Sequence, residues 1–367
     1  MIDLSNPLNI LQNNWIDTLR VESIHAERQG KLTKKQLNII YEQGWFKMLA
    51  PVSYGGKQLS LPEALRIEEA LACVDGSVGW VVTLCAGAGW FGGFLESEIA
   101  KNIFADEHVC LAGSGAKNGT AEIVDGGYMI NGAWQYASGI TDATAVTANC
   151  VVTQNGIPVK DEKGNDTILA FVFLKNEVTI TGHFNAFGMT ATSSHSYEIK
   201  NLVVKQDRAF NIKQAPLLSA SLYYYPFQQF AEATLAINMT GMCLHFMDLC
   251  GKIITSKVHT EDDHINLDLL NDKYEHLLEK LQTARQKLYY AVDMSWQVCS
   301  ANKDISPSLL YKVTAGSFTA VHVVRDCVNT LFPYCGLSSA NKDSEINRVW
   351  RDIQTAGQHK MLVGDGK

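Results

Sequence analysis

The sequence contains no run of lysine or arginine long enough to follow a phosphate backbone or an anionic membrane. Its 31 Lys and Arg are outweighed by 38 Asp and Glu, giving a net charge of -7. Nucleic-acid and membrane-surface partners therefore have no electrostatic support. The nine cysteines are scattered and never form Cys-x-x-Cys, a usage that fits reduced, buried thiols in a cytoplasmic protein and not a secreted disulfide framework. There is no His-Glu-x-x-His, no Cys-rich cluster and no Gly-x-Ser-x-Gly, so neither zinc chemistry nor a serine nucleophile is indicated. The opening Met-Ile-Asp-Leu-Ser-Asn-Pro lacks the basic start and apolar stretch of a signal peptide. One charge-free stretch, Gly76 to Leu95, has the nominal length of a membrane span, but six of its residues are glycine. It is expected to be a small-residue helix packed closely inside a soluble protein.

What is present divides into three zones. At roughly 100–200 residues per domain, 367 residues suggest two or three domains. Residues 1–105 show helical periodicity. Leu37, Ile40 and Tyr41 share one stripe before Gly44, and Leu61-Pro62 opens a further helix, with a turn-rich connection from Ala50 to Gly56. Residues 106–212 change to period two. Asp125-Gly126-Gly127 joins two strands as a hairpin, Asn131-Gly132 suggests a second turn, and Ala143–Thr153, Thr167–Leu174, Val178–Thr181 and Tyr197–Lys205 add strands. A closed barrel or small sandwich is expected. Residues 213–367 return to helix over Leu217–Lys257, Leu267–Ala301, Ser306–Leu331 and Ser344–Leu362, the pattern of an antiparallel four-helix bundle. The fold class is α+β: helices, a β-barrel, then a bundle.

Several residues could carry chemistry. On the last helix Ile346, Val349, Trp350 and Ile353 form an apolar face, while Arg348, Asp352, Thr355 and His359 fall together elsewhere. That stripe is either solvated surface or a way of projecting His359 into a cavity as a proton-transfer group. Leu111–Gly119 is a small-residue segment, read as a loop, whose backbone N–H groups could approach a flat ligand. Trp134–Thr141 ends a strand with hydroxyls beside a glycine, and Phe187–Ser194 is a hydroxyl cluster that either binds a ligand or caps turns. His259 and His264 sit in an acidic stretch with Glu261, Asp262 and Asp263, and His245 lies on an apolar helix where a core role is the simpler reading.

The motifs, in order, are Gly44-Trp45-Phe46, Pro51–Gly56, Asp75–Trp80, Gly126–Trp134, Phe187-Gly188-Met189, Cys335-Gly336 and Arg351-Asp352. Together they resemble the acyl-CoA dehydrogenase superfamily over about Leu8 to Leu362. The resemblance implies a flavin held between barrel and bundle and a homotetrameric assembly. A dehydrogenase of that family needs a carboxylate base, and the place just after Arg351-Asp352 holds Lys360 instead; Glu232 is the alternative carboxylate to check. Trp350–His359, Tyr136–Gly139 and Tyr224–Phe227 are instead similar to the two-component flavin-dependent monooxygenase branch, which includes the oxygenase component of p-hydroxyphenylacetate hydroxylase and dibenzothiophene monooxygenase.

That branch implies reduced flavin, FMN ahead of FAD, supplied by a separate flavin reductase, with O2 and a small aromatic or other apolar substrate. It places Ser138 near flavin N5 and gives His359 the role of orienting the reactive flavin or taking a proton from an acidic substrate such as a phenol. Gly113, Ser114, Trp134, Ser138, Met189 and Thr192 are the implied cofactor contacts, and Trp80 and Phe227 the implied substrate walls, with the helix Val81–Gly93 beside them. Tyr225 and Thr190 stand where the branch often has arginine. Two other readings remain: desaturation of an acyl thioester, and a non-catalytic member kept for assembly or ligand binding.

Overall fold

The protein, seen in a computed structural model, is described over residues 6–257 and 267–363; the acidic stretch containing His259 and His264 lies outside the described residues. Five helices come first: α1 (Asn13–Gln29), α2 (Lys34–Glu42), α3 (Leu61–Val74), α4 (Gly76–Gly89) and α5 (Ser97–Phe104). Their starts are written locally. Thr33 with Gln36 and Ser60 with Glu63 form reciprocal capping boxes, and Pro62 sits where a missing N–H costs nothing. Asp75 is extended, which ends α3, and its carboxylate accepts from the Val78 N–H at 2.8 Å, which opens α4. The chain thus reverses between the two helices with no loop.

Close packing then fixes α3 between its neighbours. A Cβ at Gly79 on α4 would stand 2.6 Å from the Cα of Ala72, and one at Gly241 would stand 2.4 Å from the Glu69 carbonyl oxygen. Only glycine allows those approaches. The small-residue stretch Gly76–Leu95 forms α4 and a short 3-10 turn, as expected. Among the described residues no helix is long and apolar enough to cross a membrane.

Eight strands follow: β1 (Leu111–Val124), β2 (Gly127–Ala137), β3 (Ala145–Gln154), β4 (Ile157–Pro158), β5 (Ile168–Leu174), β6 (Thr179–Gly182), β7 (His195–Lys205) and β8 (Ala209–Phe210). They form one mixed sheet in the order β6-β7-β2-β1-β3-β5-β8, with β4 added beside β3. Only β1 and β3 run parallel. The sheet wraps its own core, in which Trp134 stacks on Tyr197 at 5.2 Å with Phe171 and Phe173 nearby. No pairing of β6 with β8 closes the path among the described residues.

Two local expectations change. The Asp125-Gly126 hairpin joins β1 to β2, but Asn131-Gly132 is no turn: β2 continues through it with a register shift against β7 between Ile130 and Gly132. Likewise Leu111–Gly119 is not a loop but the first half of β1, shifted in register against β3 between Ser114 and Gly119. Glycines suggested turns where the sheet uses bulges.

The C-terminal helices are α6 (Ser221–Tyr224), α7 (Phe227–Lys257), α8 (Leu267–Ser300), α9 (Pro307–Leu331), α10 (Glu345–Ala356) and α11 (Lys360–Val363). Extended Tyr225 and Pro226 split the first expected segment into α6 and α7. The last expected helix is also split: α10 ends at Ala356, and α11 begins at Lys360. Leu65 and Ala72 of α3, Ile237 of α7, Leu281 of α8 and Val324 of α9 belong to one continuous core, separate from the core of the sheet. The helices at the two ends of the chain fold around each other.

Candidate flavin site

A cavity of about 650 Å³ lies where the sheet, α4 and the α10–α11 junction meet. The size suits a small organic ligand. From α4 it takes Trp80 and Leu84; from β1, Gly113 to Ala116; from the end of β2, Gln135, Tyr136 and Ser138. The segment before β7 adds Phe184, Phe187, Met189, Thr192 and Ser194, and the α10–α11 junction adds Thr355, Gln358, His359 and Lys360. No Asp or Glu occurs among the described residues of this lining.

His359 reaches the cavity by a route that helical periodicity did not foresee. It lies beyond the end of α10, in the break before α11, so it is not on the stripe of Arg348 and Asp352. Its Nδ1 accepts from the Met361 N–H at 3.4 Å, and its ring meets Trp80 edge-on with centroids 5.9 Å apart. Burial, and then the neighbouring Lys360 ammonium, hold the imidazole below its ordinary value. The lowered value favours the neutral ring near pH 7, with the hydrogen on Nε2 and the one lone pair on Nδ1, where it receives the long bond from Met361.

Trp80 also connects to the sheet. Its indole N–H donates to Ser138 Oγ at 3.2 Å; Ser138 Oγ contacts Ser194 Oγ at 2.8 Å, and Ser194 Oγ contacts Thr192 Oγ1 at 2.7 Å. The chain ends where Thr192 Oγ1 donates to the Met189 carbonyl at 2.7 Å. The backbone here is unusual. Tyr136, Met189 and Ser193 have φ of 62°, 56° and 45°, a left-handed region seldom used by residues with side chains.

What holds Met189 in that state is α10. Asp352 accepts a short hydrogen bond from the Met189 N–H, and Arg351 Nη1 donates to the Phe187 carbonyl at 2.6 Å while pairing with Glu27. Between them, a Cβ at Gly188 would stand 2.1 Å from the Arg351 carbonyl oxygen. Asp352 is 4 % exposed, and burial followed by repulsion from Asp75 pushes its carboxyl up to about 7, against the opposing Met189 N–H. The sign of its effect on stability follows. A folded-state value raised above roughly 3.9 means that the folded protein holds the proton more tightly, so stability falls as pH rises from about 4 to about 7. Asp352→Asn keeps an acceptor for Met189 and removes the charge. Unfolding curves between pH 4 and 8 should show that loss flattened in the variant, by an amount on the order of a few kcal/mol.

The site fits a flavin on several counts. Gly113, Gly115 and Ala116 leave a wall free of bulky side chains, and a hydroxyl chain, an indole and an imidazole stand beside it. Thr355 Oγ1 is buried without a hydrogen-bond partner on the same wall. A buried hydroxyl in that state can meet a polar ligand atom or a water.

Of the residues singled out in sequence, His359, Ser138, Gly113, Ser114, Met189, Thr192 and Trp80 come together here. Two do not. Trp134 is buried in the sheet core, donating to the Asn149 carbonyl at 3.2 Å. Phe227 packs among Trp90, Phe91 and Phe230. Of the helix expected to supply walls, Leu84 does so. Tyr225 is buried with its hydroxyl 2.7 Å from Ser295 Oγ, and Glu232 is held by Gln228 at 2.9 Å and Thr314 at 2.6 Å; neither lines the cavity. His245 is a buried core residue whose Nε2 pairs with Glu345 at 3.1 Å, although its Nδ1 has no partner.

Sequence reasoning named the hydroxyl cluster and the α10 stripe but did not select Ser194 or Thr355 from them. Gln135 and Phe184 gave no signal, because their place depends on how the sheet bends.

Comparison with known proteins agrees with this geometry. Residues 274–363 match the family model described as acyl-CoA dehydrogenase, C-terminal domain. The oxygenase subunit HsaA of a flavin-dependent monooxygenase from Rhodococcus jostii (strain RHA1) is 21% identical, covering 94% of this chain and 91% of its own. Indole-3-acetate monooxygenase from Pseudomonas putida is 22% identical, covering 92% and 85%. The crystal structure of the HsaA monooxygenase from M. tuberculosis superposes with a TM-score of 0.88 at 20% identity, covering 98% and 96%. The chain has the acyl-CoA dehydrogenase-like fold, and the resemblance that runs through its length is to the flavin-dependent monooxygenase branch of that fold.

Proposed function

We propose that this protein is the oxygenase component of a two-component monooxygenase. It takes reduced flavin from a separate reductase, uses O2, and hydroxylates a small aromatic or other apolar substrate. The observation that carries the reading is the cavity wall, which offers a neutral imidazole and a hydroxyl chain and, among its described residues, no carboxylate. Desaturation of an acyl thioester needs a carboxylate base, and Glu232 is already engaged away from the cavity.

Reduced flavin, when bound, supplies the electrons that activate oxygen. Gly113 and Ser114 give it a close backbone surface, and Ser138, Thr192 and Met189 stand at the neighbouring ends of β2 and β7. Lys360 is the cation of the described lining and the natural partner of a flavin phosphate, whether of FMN or of FAD. The Nδ1 of His359, giving up its long hydrogen bond from the Met361 N–H, takes the proton from an acidic substrate, such as a phenol, and Trp80 keeps the imidazole oriented. Leu84, Phe184 and Phe187 limit water and favour a flat, apolar substrate. The aromatic substrate in the name of the Pseudomonas putida relative supports this class. Exposed Tyr290, Met294 and Tyr311 on α8 and α9 provide apolar surface for assembly as a cytoplasmic homotetramer.

Stopped-flow absorbance tests the proposal. Protein mixed with reduced FMN and then O2 should reoxidise the flavin more slowly than free FMN does, and product should carry one atom from labelled O2. If neither redox state of flavin binds, the non-catalytic reading replaces this one. Tight oxidised flavin together with thioester desaturation would favour the dehydrogenase.

A further inference from the structure

The hydroxyl chain has only one possible direction. A carbonyl cannot donate, so the single proton of Thr192 goes to Met189. Thr192 must then accept from Ser194, which commits the Ser194 proton; Ser194 must in turn accept from Ser138, which commits the Ser138 proton. At the other end the Trp80 N–H can only donate, and it occupies one lone pair of Ser138. Ser138 therefore faces the cavity with a free lone pair and no free proton. It accepts an N–H from a ligand and offers nothing to an atom that bears only a lone pair.

Flavin differs at N5 in this respect: the reduced ring carries hydrogen there, the oxidised ring a lone pair. Resting on the function proposed above, we infer that Ser194 and Thr192 are positioning residues that make this cavity select reduced over oxidised flavin, by fixing Ser138 as an acceptor. Without Ser194 the Ser138 proton is released and can turn toward the oxidised ring. Without the Thr192 hydroxyl, Ser194 is free to donate to Ser138, with the same result one step removed. The selection thus resides in two further hydroxyls of the lining, acting through Ser138.

The test is the ratio of dissociation constants for oxidised and reduced FMN, from anaerobic titration of wild type, Ser194→Ala, Thr192→Val and Thr192→Ser. One neutral hydrogen bond gained or lost is expected to change that ratio roughly tenfold. Wild type should prefer reduced FMN. Ser194→Ala and Thr192→Val should both lose about tenfold of the preference, chiefly by binding oxidised FMN better, and Thr192→Ser should retain it. Binding that weakens equally for both redox states would mark a merely structural role and overturn the inference, as would an unchanged ratio in both variants or a wild type without preference. Each of those results leaves the monooxygenase reading standing. Failure of wild type to bind flavin in either state overturns both.

Discussion

Replacing His359 with alanine is expected to lower hydroxylation by about 100-fold or more, with reduced-flavin affinity changed only a few-fold. The split follows from where the ring sits. It contacts Trp80 edge-on and the start of α11, outside the hydroxyl chain on the cavity wall. Burial and Lys360 keep it neutral, so activity should fall on the acid side as the imidazole gains a proton, with a midpoint below the ordinary histidine value. Lys360→Met removes one of the two causes and should move that acid limb to higher pH. Profiles of kcat/KM against pH for both variants check this; a His359→Ala enzyme as fast as wild type would take the proton-transfer role away from this residue.

The second large effect concerns stability. Arg285 on α8 donates to both oxygens of Glu69 on α3, at 2.5 and 2.7 Å, and the pair is 1 % exposed on each side. Thr240 on α7 and Tyr289 on α8 each donate to the same carboxylate at 2.9 Å. Three helices from opposite ends of the sequence meet on one buried acid. Glu69→Ala leaves a buried guanidinium, a change that typically costs about 3–5 kcal/mol. Denaturant unfolding should show this as a large drop in midpoint. Replacing both partners together, Glu69→Leu with Arg285→Met, should recover most of the loss, since the penalty lies in a buried charge that has lost its countercharge. If the double variant is as unstable as the single one, the network is essential for its geometry and not for its charge balance.

That network was invisible in the sequence, and the reason is general. Glu69 and Arg285 each look like an ordinary charge on an amphipathic helix, and nothing local says that they meet. The three-part order of helices, strands and helices was legible because periodicity and turn residues are local signals: Asp125-Gly126 marks its hairpin, and Pro62 marks the start of α3. Leu111–Gly119 misled because the strand that pairs with it, β3, lies far along the chain; a Cβ at Gly113 would stand 2.3 Å from Thr147 there. His359 stands out through motif resemblance, while the helix whose stripe includes it stops at Ala356. Gly357 stands at that end, although its backbone angles, φ -62° and ψ -12°, stay helical and not left-handed. Phe227 and Trp134, taken from motif resemblance, do not line the cavity, because a motif does not say which core a ring enters.

The shared core of the two helical regions also constrains how the chain is made. Every residue of α3 from Glu68 to Val74 is buried, and α7 is one of its covers. On the ribosome α3 emerges long before α7. At roughly 5–20 residues per second the delay is on the order of ten seconds. During that interval an apolar helix pair has no lid, whereas the sheet, with its own interior, can mature alone. Nascent chains halted before Phe227 should therefore recruit chaperones through their first hundred residues, and release them once the bundle has been synthesised.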